Sequence, residues 1–210
     1  MTYAVKELFL TLQGEGVQAG RRAVFVRFAG CNLWSGRELD RATAVCRFCD
    51  TNFVGTDGGG GGRFADADAL VRAAIVAWGP GTAWRYVVLT GGEPMLQIDD
   101  ALIDALHAAG FEIGVESNGT IAAHPRIDWL CISPKARSTV VQRRGDELKL
   151  VWPQPGSDVE AMETWDFTHR LIQPMDGVDR DAALAAAIAF VMARPHWRLT
   201  TQAHKALGLR

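Results

Sequence analysis

Three of the four cysteines lie close enough in sequence to share one metal cofactor: Cys31, Cys46 and Cys49. The aromatic residue Phe48 stands directly before the last of them. A structural zinc ion or an ordinary electron-transfer cluster takes four protein ligands. Three thiolates would instead hold an iron–sulfur cluster with one iron left open to another molecule. The trio therefore predicts a catalytic cluster, with these cysteines as its catalytic and metal-binding residues.

Three other uses of the cysteines remain open on spacing alone. Disulfides are typical of secreted proteins, and the N-terminal residues do not show the order of a secretory signal. A zinc site would need a fourth ligand, and the next histidine, His107, comes 58 residues after Cys49. A thioredoxin-type pair of Cys46 and Cys49 would leave Cys31 unused. The fourth cysteine, Cys131, lies in an apolar run and is predicted to pack as a small buried hydrophobic residue.

The composition places the chain among ordinary globular proteins, with 210 residues, 48% of them apolar, and a formal net charge of −2. This length favours one domain, 1–210, with an inserted excursion at about 32–45 between the first two cysteines. The near-neutral charge gives no electrostatic basis for binding nucleic acid or an anionic membrane. The longest apolar run, 182–193, has 12 residues and is too short to span a membrane. We expect a cytoplasmic protein, because thiols stay reduced in that compartment.

Short apolar runs alternate with amphipathic segments along the chain. Runs rich in Val, Ile and Leu predict buried parallel strands at 23–29, 86–89, 112–116, 129–132, 147–152 and 169–172. Segments with helical periodicity predict helices at 66–78, 99–109, 158–165 and 179–194. This order predicts an α/β fold, an incomplete (β/α)6 barrel of parallel strands, because a complete eight-unit barrel takes about 250 residues. An open sheet with helices on both faces is the alternative, and both arrangements place the cluster and active site at the C-terminal ends of the strands.

Two stretches interrupt this alternation. The glycine run 58–62 predicts a flexible loop, and a phosphate-binding loop is disfavoured because no strand precedes it and no Lys-Ser/Thr pair follows it. The polar stretch 32–45 predicts an excursion with room for a short helix, which returns to place Cys46.

Polar motifs follow four of the predicted strands at the end where a ligand would bind. Any one of them could be an ordinary turn, although glycines also let a ligand approach the backbone closely. Their recurrence at successive strand ends indicates a binding site, because loops that only reverse the chain need not carry such groups. The motifs are Thr90-Gly91-Gly92-Glu93-Pro94, Glu116-Ser117-Asn118-Gly119, Ser133-Pro134-Lys135 and Gln173-Pro174-Met175.

A charged residue, Arg27, interrupts the first predicted strand, and a charge within a buried strand needs a partner. An internal ion pair with Glu7 or Glu15 would satisfy it. A clamp for the carboxylate of a ligand is the functional alternative. Glu15 belongs to a motif that precedes this strand, Leu12-Gln13-Gly14-Glu15-Gly16.

Together these motifs resemble the radical S-adenosylmethionine superfamily, through the three cysteines, Phe48 and the Gly91-Gly92-Glu93-Pro94 motif. A closer resemblance, to the 7-carboxy-7-deazaguanine synthases, covers nearly the whole chain. The superfamily usually spaces its cysteines Cys-x3-Cys-x2-Cys, whereas 14 residues separate Cys31 from Cys46 here. The closer family includes members with such a lengthened spacing. The stretches that carry the closer resemblance are Leu12-Gln13-Gly14-Glu15-Gly16, Arg27-Phe28-Ala29-Gly30-Cys31-Asn32-Leu33, Cys49-Asp50-Thr51, Thr90-Gly91-Gly92-Glu93-Pro94, Glu116-Ser117-Asn118-Gly119 and Ser133-Pro134-Lys135.

The resemblance implies a [4Fe-4S] cluster on the three cysteines, with the open iron binding S-adenosylmethionine. Reductive cleavage of that cofactor would give a 5′-deoxyadenosyl radical. The substrate would be 6-carboxy-5,6,7,8-tetrahydropterin, and hydrogen abstraction at its C6 would start a ring contraction with loss of ammonia. The product would be 7-carboxy-7-deazaguanine, an intermediate towards queuosine and other 7-deazapurines. S-adenosylmethionine would be regenerated, and Mg2+ would be a further cofactor.

The same resemblance implies which residues surround the cofactors. Phe48 would pack against the adenine, Glu116 would hold the ribose hydroxyls, and Gln173 would close the adenine pocket. The Gly91-Gly92-Glu93 backbone would meet the methionine amino group, while Ser133 and Lys135 would reach the methionine carboxylate or the ribose. Thr51 would bind Mg2+, a hard ion that prefers oxygen ligands. The cofactor-binding set is Phe48, Cys49, Asp50, Gly91, Gly92, Glu93, Glu116, Asn118, Ser133, Pro134, Lys135 and Gln173.

For the substrate, the resemblance implies Arg27 as the carboxylate clamp. Gln13 and Glu15 would read the pterin edge, whose N–H groups require acceptors, and Thr90 would add a hydroxyl. His204 and the terminal carboxylate of Arg210 would join the site if the C-terminal tail folds over the open barrel. The substrate-binding set is Leu12, Gln13, Gly14, Glu15, Arg27, Thr90, Gly92, His204 and Arg210.

The partners implied are a small pterin, an external electron donor (flavodoxin or ferredoxin) and a second copy of the chain. A homodimer is expected because an open sheet edge invites pairing. One alternative is another radical S-adenosylmethionine enzyme, such as a glycyl-radical activase, which would not need Arg27. The other is a non-catalytic iron–sulfur electron-transfer protein, which would need a fourth ligand such as Cys131.

Overall fold

The apolar runs predicted as strands form the centre of one sheet in the computed structural model, which describes residues 2–209. Within that part of the chain the sheet has nine strands, in the order β3-β1-β2-β4-β5-β6-β7-β8-β9. The strands are β1 (Tyr3–Leu12), β2 (Arg22–Phe28), β3 (Gly62–Phe64), β4 (Tyr86–Gly91), β5 (Glu112–Ser117), β6 (Trp129–Ile132), β7 (Arg144–Trp152), β8 (Asp166–Pro174) and β9 (Arg198–Leu199).

Strands β2 and β4 to β9 run parallel, and β1 and β3 add antiparallel strands at one edge. The sheet is not closed, because β3 and β9 are its outer strands. The predicted incomplete barrel is therefore confirmed. Parallel pairing sets Arg27 beside Thr90 and Glu116 beside Cys131, so the polar ends of successive strands meet at one edge.

The helices are α1 (Ala67–Trp78), α2 (Asp100–Ala108), α3 (Val159–Glu163), α4 (Arg180–Ala193) and α5 (Ala203–Ala206), with 3-10 helices at Glu38–Thr43 and Pro94–Leu96. Helices α1 to α4 contribute to the main apolar core on one face of this sheet. None of the described helices is long and apolar enough to cross a membrane. The first two helices begin at aspartate caps, where Asp66 accepts from the Ala69 backbone N–H and Asp99 from that of Leu102.

The alternation of strands and helices is less regular than six βα units. Helices α1 to α4 match the four predicted helices within one or two residues at each end. In the described residues, the connections β5–β6 and β6–β7 contain no helix. The first of these, 118–128, is shorter than most crossovers between parallel strands, so little room remains for one.

The two faces of the sheet carry different side chains because a strand alternates direction at every residue. Leu148 and Leu150 of β7 face the helices and belong to the main apolar core. Lys149, between them, points to the inner face and lines a cavity there. The sequence signal for this arrangement was a single lysine within an apolar strand.

The glycine run 58–62 is an ordered turn, so the prediction of a flexible loop was wrong. Its backbone bonds to β1 through Gly58 N–H to Lys6 C=O (2.9 Å) and Leu8 N–H to Gly59 C=O (3.0 Å). A Cβ on Gly61 would overlap the Lys6 carbonyl, so glycine is needed for this close approach. The predictions also missed β1, in which Lys6 and Glu7 interrupt the apolar pattern, and the very short β3 and β9.

Candidate active site

A cavity of about 620 Å³ lies at the C-terminal ends of the parallel strands, within the size range of small-molecule sites. Glu93 and Pro134 are buried behind its wall, and Arg210 lies outside the described residues. The structure brings together in the lining the following predicted site residues: Leu12, Gln13, Gly14, Glu15, Arg27, Cys31, Cys46, Phe48, Cys49, Asp50, Thr51, Thr90, Gly91, Gly92, Glu116, Asn118, Ser133, Lys135, Gln173 and His204.

The three cysteines line one side of this cavity, and all are free thiols. A hydrogen bond between the thiols of Cys46 and Cys49 lowers the pKa of Cys49 to about 6 and raises the pKa of Cys46. Burial raises the pKa of Cys31. No three His, Cys, Asp or Glu side chains in residues 2–209 form a site for a single metal ion. The trio still suits a cluster, because each thiolate of a cluster binds a different iron atom.

The segment 32–45 closes on itself and supports the second and third cysteines. The backbone N–H of Val45 donates to the Leu33 carbonyl (3.1 Å), which brings the chain back beside Cys31. Arg41, in the 3-10 helix of this segment, donates to the backbone carbonyls of Arg47 (2.8 Å) and Cys49 (3.1 Å). The short helix left open by the sequence is therefore present, and the excursion holds the Cys46–Cys49 segment in place.

The glycine motif after β4 passes against the first cysteine loop. Gly91 has φ 135°, and a Cβ there would overlap the backbone of Phe28. A Cβ on Gly92 would likewise overlap the Gly30 carbonyl. These two glycines therefore let the motif lie directly on the loop that carries Cys31.

The side chain of Glu93 is fully buried and holds two strand ends together. It accepts from Ser117 Oγ (2.8 Å), the Asn118 backbone N–H (2.8 Å) and the Met95 backbone N–H (3.0 Å). Burial raises the pKa of this carboxyl, against the effect of these hydrogen bonds. The side chain of Glu93 is therefore engaged in holding the fold and is not available to a ligand in the cavity.

We expect Glu93→Ala to lower the free energy of unfolding by roughly 3 kcal/mol, because three donors would lose a buried acceptor. Urea denaturation under anaerobic conditions measures this change. Glu160→Ala removes an exposed glutamate of α3 and serves as the control, with an expected change below about 0.5 kcal/mol. Equal unfolding free energies for the two variants would contradict the proposed role of Glu93.

Lys135 follows β6, and Gln173 lies at the end of β8. Lys135 Nζ donates to the carbonyl (2.6 Å) and the hydroxyl (2.9 Å) of Ser133, and it lies 6.0 Å from the centre of the Phe48 ring. Gln173 is buried, and its Oε1 has no hydrogen-bond partner among the described residues. A buried acceptor in a cavity wall requires a partner, so Gln173 suits a ligand that carries an N–H group.

Arg27 makes the ion pair that was one of its two predicted roles. Its Nε donates to Glu7 (2.7 Å), so the ion pair is with Glu7 and not with Glu15. This bond uses one of the five N–H donors of the guanidinium. Because Arg27 also lines the cavity, it remains suited to an anionic ligand.

A buried network on the opposite wall joins two of the predicted carboxylates through a residue that the sequence interpretation missed, Lys149. Its ammonium donates to Glu15 (2.5 Å) and to Glu116 (2.7 Å). Gln13 donates to Glu116 (2.8 Å), and Gln202 donates to Glu15 (2.9 Å). Lys149 was detectable from the reasoning applied to Arg27, since it too is a charge within an apolar strand.

The electrostatics of this network follow from its burial. Burial would raise the pKa of Glu15, but the charge of Lys149 and the hydrogen bonds from Lys149 and Gln202 bring it to about 2. Burial would lower the pKa of Lys149, but Glu116 and Glu15 hold it well above its usual value. Both groups are therefore charged at neutral pH.

The lowered pKa of Glu15 predicts that the free energy of unfolding decreases as the pH falls. A carboxyl whose pKa is lowered by folding stabilises the fold at pH values above the pKa of the unfolded chain, which is 4.5 here. That stabilisation is lost as the pH falls towards the folded-state pKa of about 2. We expect the wild-type protein to lose about 2 kcal/mol more than Glu15→Gln between pH 5 and pH 3. Urea denaturation at both pH values measures the difference. Glu160→Gln should keep the wild-type dependence, and an unchanged dependence in Glu15→Gln would refute the assignment.

The C-terminal segment packs against the loop after β1 and against the cysteine loop, which is the condition that the sequence analysis set for His204. The Ala203 backbone N–H donates to the Gly14 carbonyl (2.8 Å), and His204 lies directly against Gly14. Lys205 bonds to Asp50 in the cysteine loop (2.9 Å) and to Asp176 after β8 (2.6 Å). Gln202 and Lys205 were not predicted as site residues, because no local motif marks them.

An open, largely parallel barrel with three free thiols in one cavity at the C-terminal ends of its strands is the arrangement of a radical S-adenosylmethionine enzyme. Cys131 lies in β6 and does not line the cavity that contains the trio, so it does not provide the fourth ligand that an electron-transfer cluster would need.

Comparisons with known proteins narrow this class to one family. The chain is 60% identical over 209 residues to the 7-carboxy-7-deazaguanine synthase of Caulobacter vibrioides, covering 100% of both chains. It is 60% identical over 210 residues to that of Bradyrhizobium diazoefficiens, again covering 100% of both. Its fold matches the crystal structure of QueE from Escherichia coli with a TM-score of 0.74 and 26% identity, over 97% of this chain and 95% of that one. No family model matches the chain. The chain belongs to the 7-carboxy-7-deazaguanine synthase family.

Proposed function

We propose that the protein is a lyase that converts 6-carboxy-5,6,7,8-tetrahydropterin to 7-carboxy-7-deazaguanine with loss of ammonia, on the route to queuosine and other 7-deazapurines. Its relatives carry the name of this product. The observation that carries the proposal is one cavity lined by the three cysteines, by Arg27 and by the carboxylate network of Glu15 and Glu116. Such a cavity can hold a redox cofactor and an anionic, N–H-rich substrate together.

We propose a [4Fe-4S] cluster on Cys31, Cys46 and Cys49, with S-adenosylmethionine on its open iron. When bound, this pair supplies a 5′-deoxyadenosyl radical that abstracts hydrogen from the substrate. The free thiols, the hydrogen bond between Cys46 and Cys49 and the anchored segment 32–45 support this assignment. The protein holds the trio in one orientation and covers it with the C-terminal segment.

Around S-adenosylmethionine, the unpaired Oε1 of Gln173 would accept from the adenine amino group. Glu93 and Pro134 are buried and would act through their backbone and by holding the loops. Glu116 would accept from the ribose with the lone pairs that Lys149 and Gln13 leave available. The remaining proposed contacts are Phe48, Cys49, Asp50, Gly91, Gly92, Asn118, Ser133 and Lys135.

For Mg2+ we propose Thr51, which lines the cavity two residues after Cys49. One side-chain oxygen is sufficient, because Mg2+ usually keeps several waters and binds substrate oxygens as well.

For the substrate, Arg27 would hold the carboxylate and Glu15 would accept from the pterin N–H edge. Gln13 has both ends of its amide engaged, with Glu116 and the Glu15 backbone, so its main effect would be to hold those groups. Thr90, Gly92 and His204 line the same region. Leu12, Gly14 and the terminal carboxylate of Arg210 complete the proposed set.

We also propose one domain over 1–210, a cytoplasmic location, a homodimer, and flavodoxin or ferredoxin as the electron donor. The continuous sheet supports a single domain, and its outer strands β3 and β9 support pairing of two copies. The free cysteines fit a reducing compartment.

An anaerobic assay tests the function directly. Reconstituted protein would receive dithionite, S-adenosylmethionine, Mg2+ and 6-carboxytetrahydropterin, with products identified by mass spectrometry. We expect 7-carboxy-7-deazaguanine to form. Release of 5′-deoxyadenosine without that product would support the radical chemistry but reject the proposed substrate. If cluster-loaded protein forms neither compound, the radical chemistry and the substrate are both rejected.

A further inference from the structure

Lys149 is a buried cation that the proposed function does not yet use. It is only 3% exposed, and it lies on the inner face of β7. A buried ammonium is stable only when its donors are well paired. Here the partners are two separate carboxylates, Glu15 at 2.5 Å and Glu116 at 2.7 Å.

The same two carboxylates are held from their other side as well. Gln202 donates to Glu15 Oε1 and Gln13 donates to Glu116 Oε1, while Lys149 occupies the Oε2 atom of each. A carboxylate offers about four lone-pair directions. Each group is therefore fixed in orientation and keeps acceptor capacity for a ligand in the cavity.

These carboxylates come from different parts of the barrel. Glu15 lies in the loop between β1 and β2, and Glu116 lies at the end of β5. Two neighbouring carboxylates repel each other unless a cation lies between them or one of them takes up a proton. Lys149 supplies that cation from a third strand, so it determines how the two acceptors lie relative to each other.

We infer that Lys149 is a positioning residue that holds the pterin acceptor Glu15 and the ribose acceptor Glu116 in a fixed relation, and so aligns the substrate with the cofactor. This inference rests on the proposed function. Alignment has a large effect in such a reaction, because a misplacement of about 1 Å can lower a rate about 100-fold. Misalignment would also let cofactor cleavage proceed without turnover.

The test is the amount of 5′-deoxyadenosine released for each product molecule formed, in the anaerobic assay with both ligands at saturation. In Lys149→Met we expect product formation to fall by about 10- to 100-fold while cleavage of S-adenosylmethionine continues, so that the ratio rises at least about 10-fold. A general loss of folding or of cluster would lower both compounds together and leave the ratio unchanged.

Two matched variants separate alignment from packing. Lys149→Arg keeps the positive charge and should restore most of the wild-type ratio. Glu147→Gln changes a second buried charged residue, which lies on the same face of β7 as Lys149 and accepts a hydrogen bond from Trp129. This variant should keep the wild-type ratio. If Lys149→Met does not retain its cluster, Lys149→Gln, which keeps an N–H donor but not the positive charge between the two carboxylates, takes its place.

The outcomes distinguish the two proposals. A raised ratio in Lys149→Met or in Lys149→Gln, with Glu147→Gln unchanged, supports the positioning role. A wild-type ratio in the Lys149 variant, or an equal rise in Glu147→Gln, overturns it. If the wild-type protein makes 5′-deoxyadenosine but no 7-carboxy-7-deazaguanine, the proposed function itself fails.

Discussion

Replacing Cys31, Cys46 or Cys49 with serine is expected to lower product formation by on the order of 1,000-fold or more, because the cofactor carries the difficult chemistry. A serine hydroxyl is a harder and weaker ligand for cluster iron than a thiolate. Only three cysteines line the cavity within the described residues, so no neighbouring thiol can replace a lost ligand. Iron and sulfide analysis, electron paramagnetic resonance and the product assay would all show the loss.

Cys131→Ser is the matched control for this series. Cys131 is buried in β6, away from the trio, so this variant should keep its iron content and at least half of the wild-type activity. Full cluster loading and activity in any of the three trio variants would contradict the assignment of the ligands. Loss of iron in Cys131→Ser would instead favour a four-cysteine cluster.

Arg27→Met is expected to lower kcat/KM for the pterin by about 100-fold or more, since a charge-assisted hydrogen bond contributes about 1.5 to 3 kcal/mol and a carboxylate can accept two. The effect should fall mainly on KM. Cleavage of S-adenosylmethionine in the absence of the pterin should stay near the wild-type rate, because the three cysteines proposed as cluster ligands are unchanged in this variant. Steady-state kinetics and 5′-deoxyadenosine release measure the two quantities.

Two variants check this assignment. Arg27→Lys keeps the charge that pairs with Glu7 but loses the fork geometry, and should recover only part of the affinity. Arg72→Met makes the same change at an exposed position of α1 and should leave both quantities unchanged. A wild-type KM in Arg27→Met would show that Arg27 serves only its ion pair with Glu7.

Local patterns were sufficient to predict the cysteine ligands and the central strands. The pair Cys46 and Cys49 is separated by two residues, and the strand at 129–132 is a continuous apolar run with the bounds of β6. Such features depend on neighbours in sequence, which side-chain periodicity records directly. The same logic placed Gly91 and Gly92 at a strand end, where their lack of a Cβ is required by the backbone of the adjacent loop.

Local patterns were not sufficient for elements shaped by tertiary contacts. The glycine run was predicted to be flexible, whereas its glycines lie tightly against β1. Strand β1 was missed because Lys6 interrupts its apolar pattern. In the fold that lysine is buried and bonds to Val54 and Asp57, 48 and 51 residues away.

By itself, the sequence identified the three cysteines proposed as cluster ligands, the central strands and the polar motifs at their ends. Only the tertiary structure decided which charges meet. It paired Arg27 with Glu7 rather than Glu15, and it joined Lys149 to Glu15, 134 residues away, and to Glu116, 33 residues away. The physical reason is that ion pairs depend on distance and burial in space, and spacing along the chain does not record which strand ends a barrel brings together.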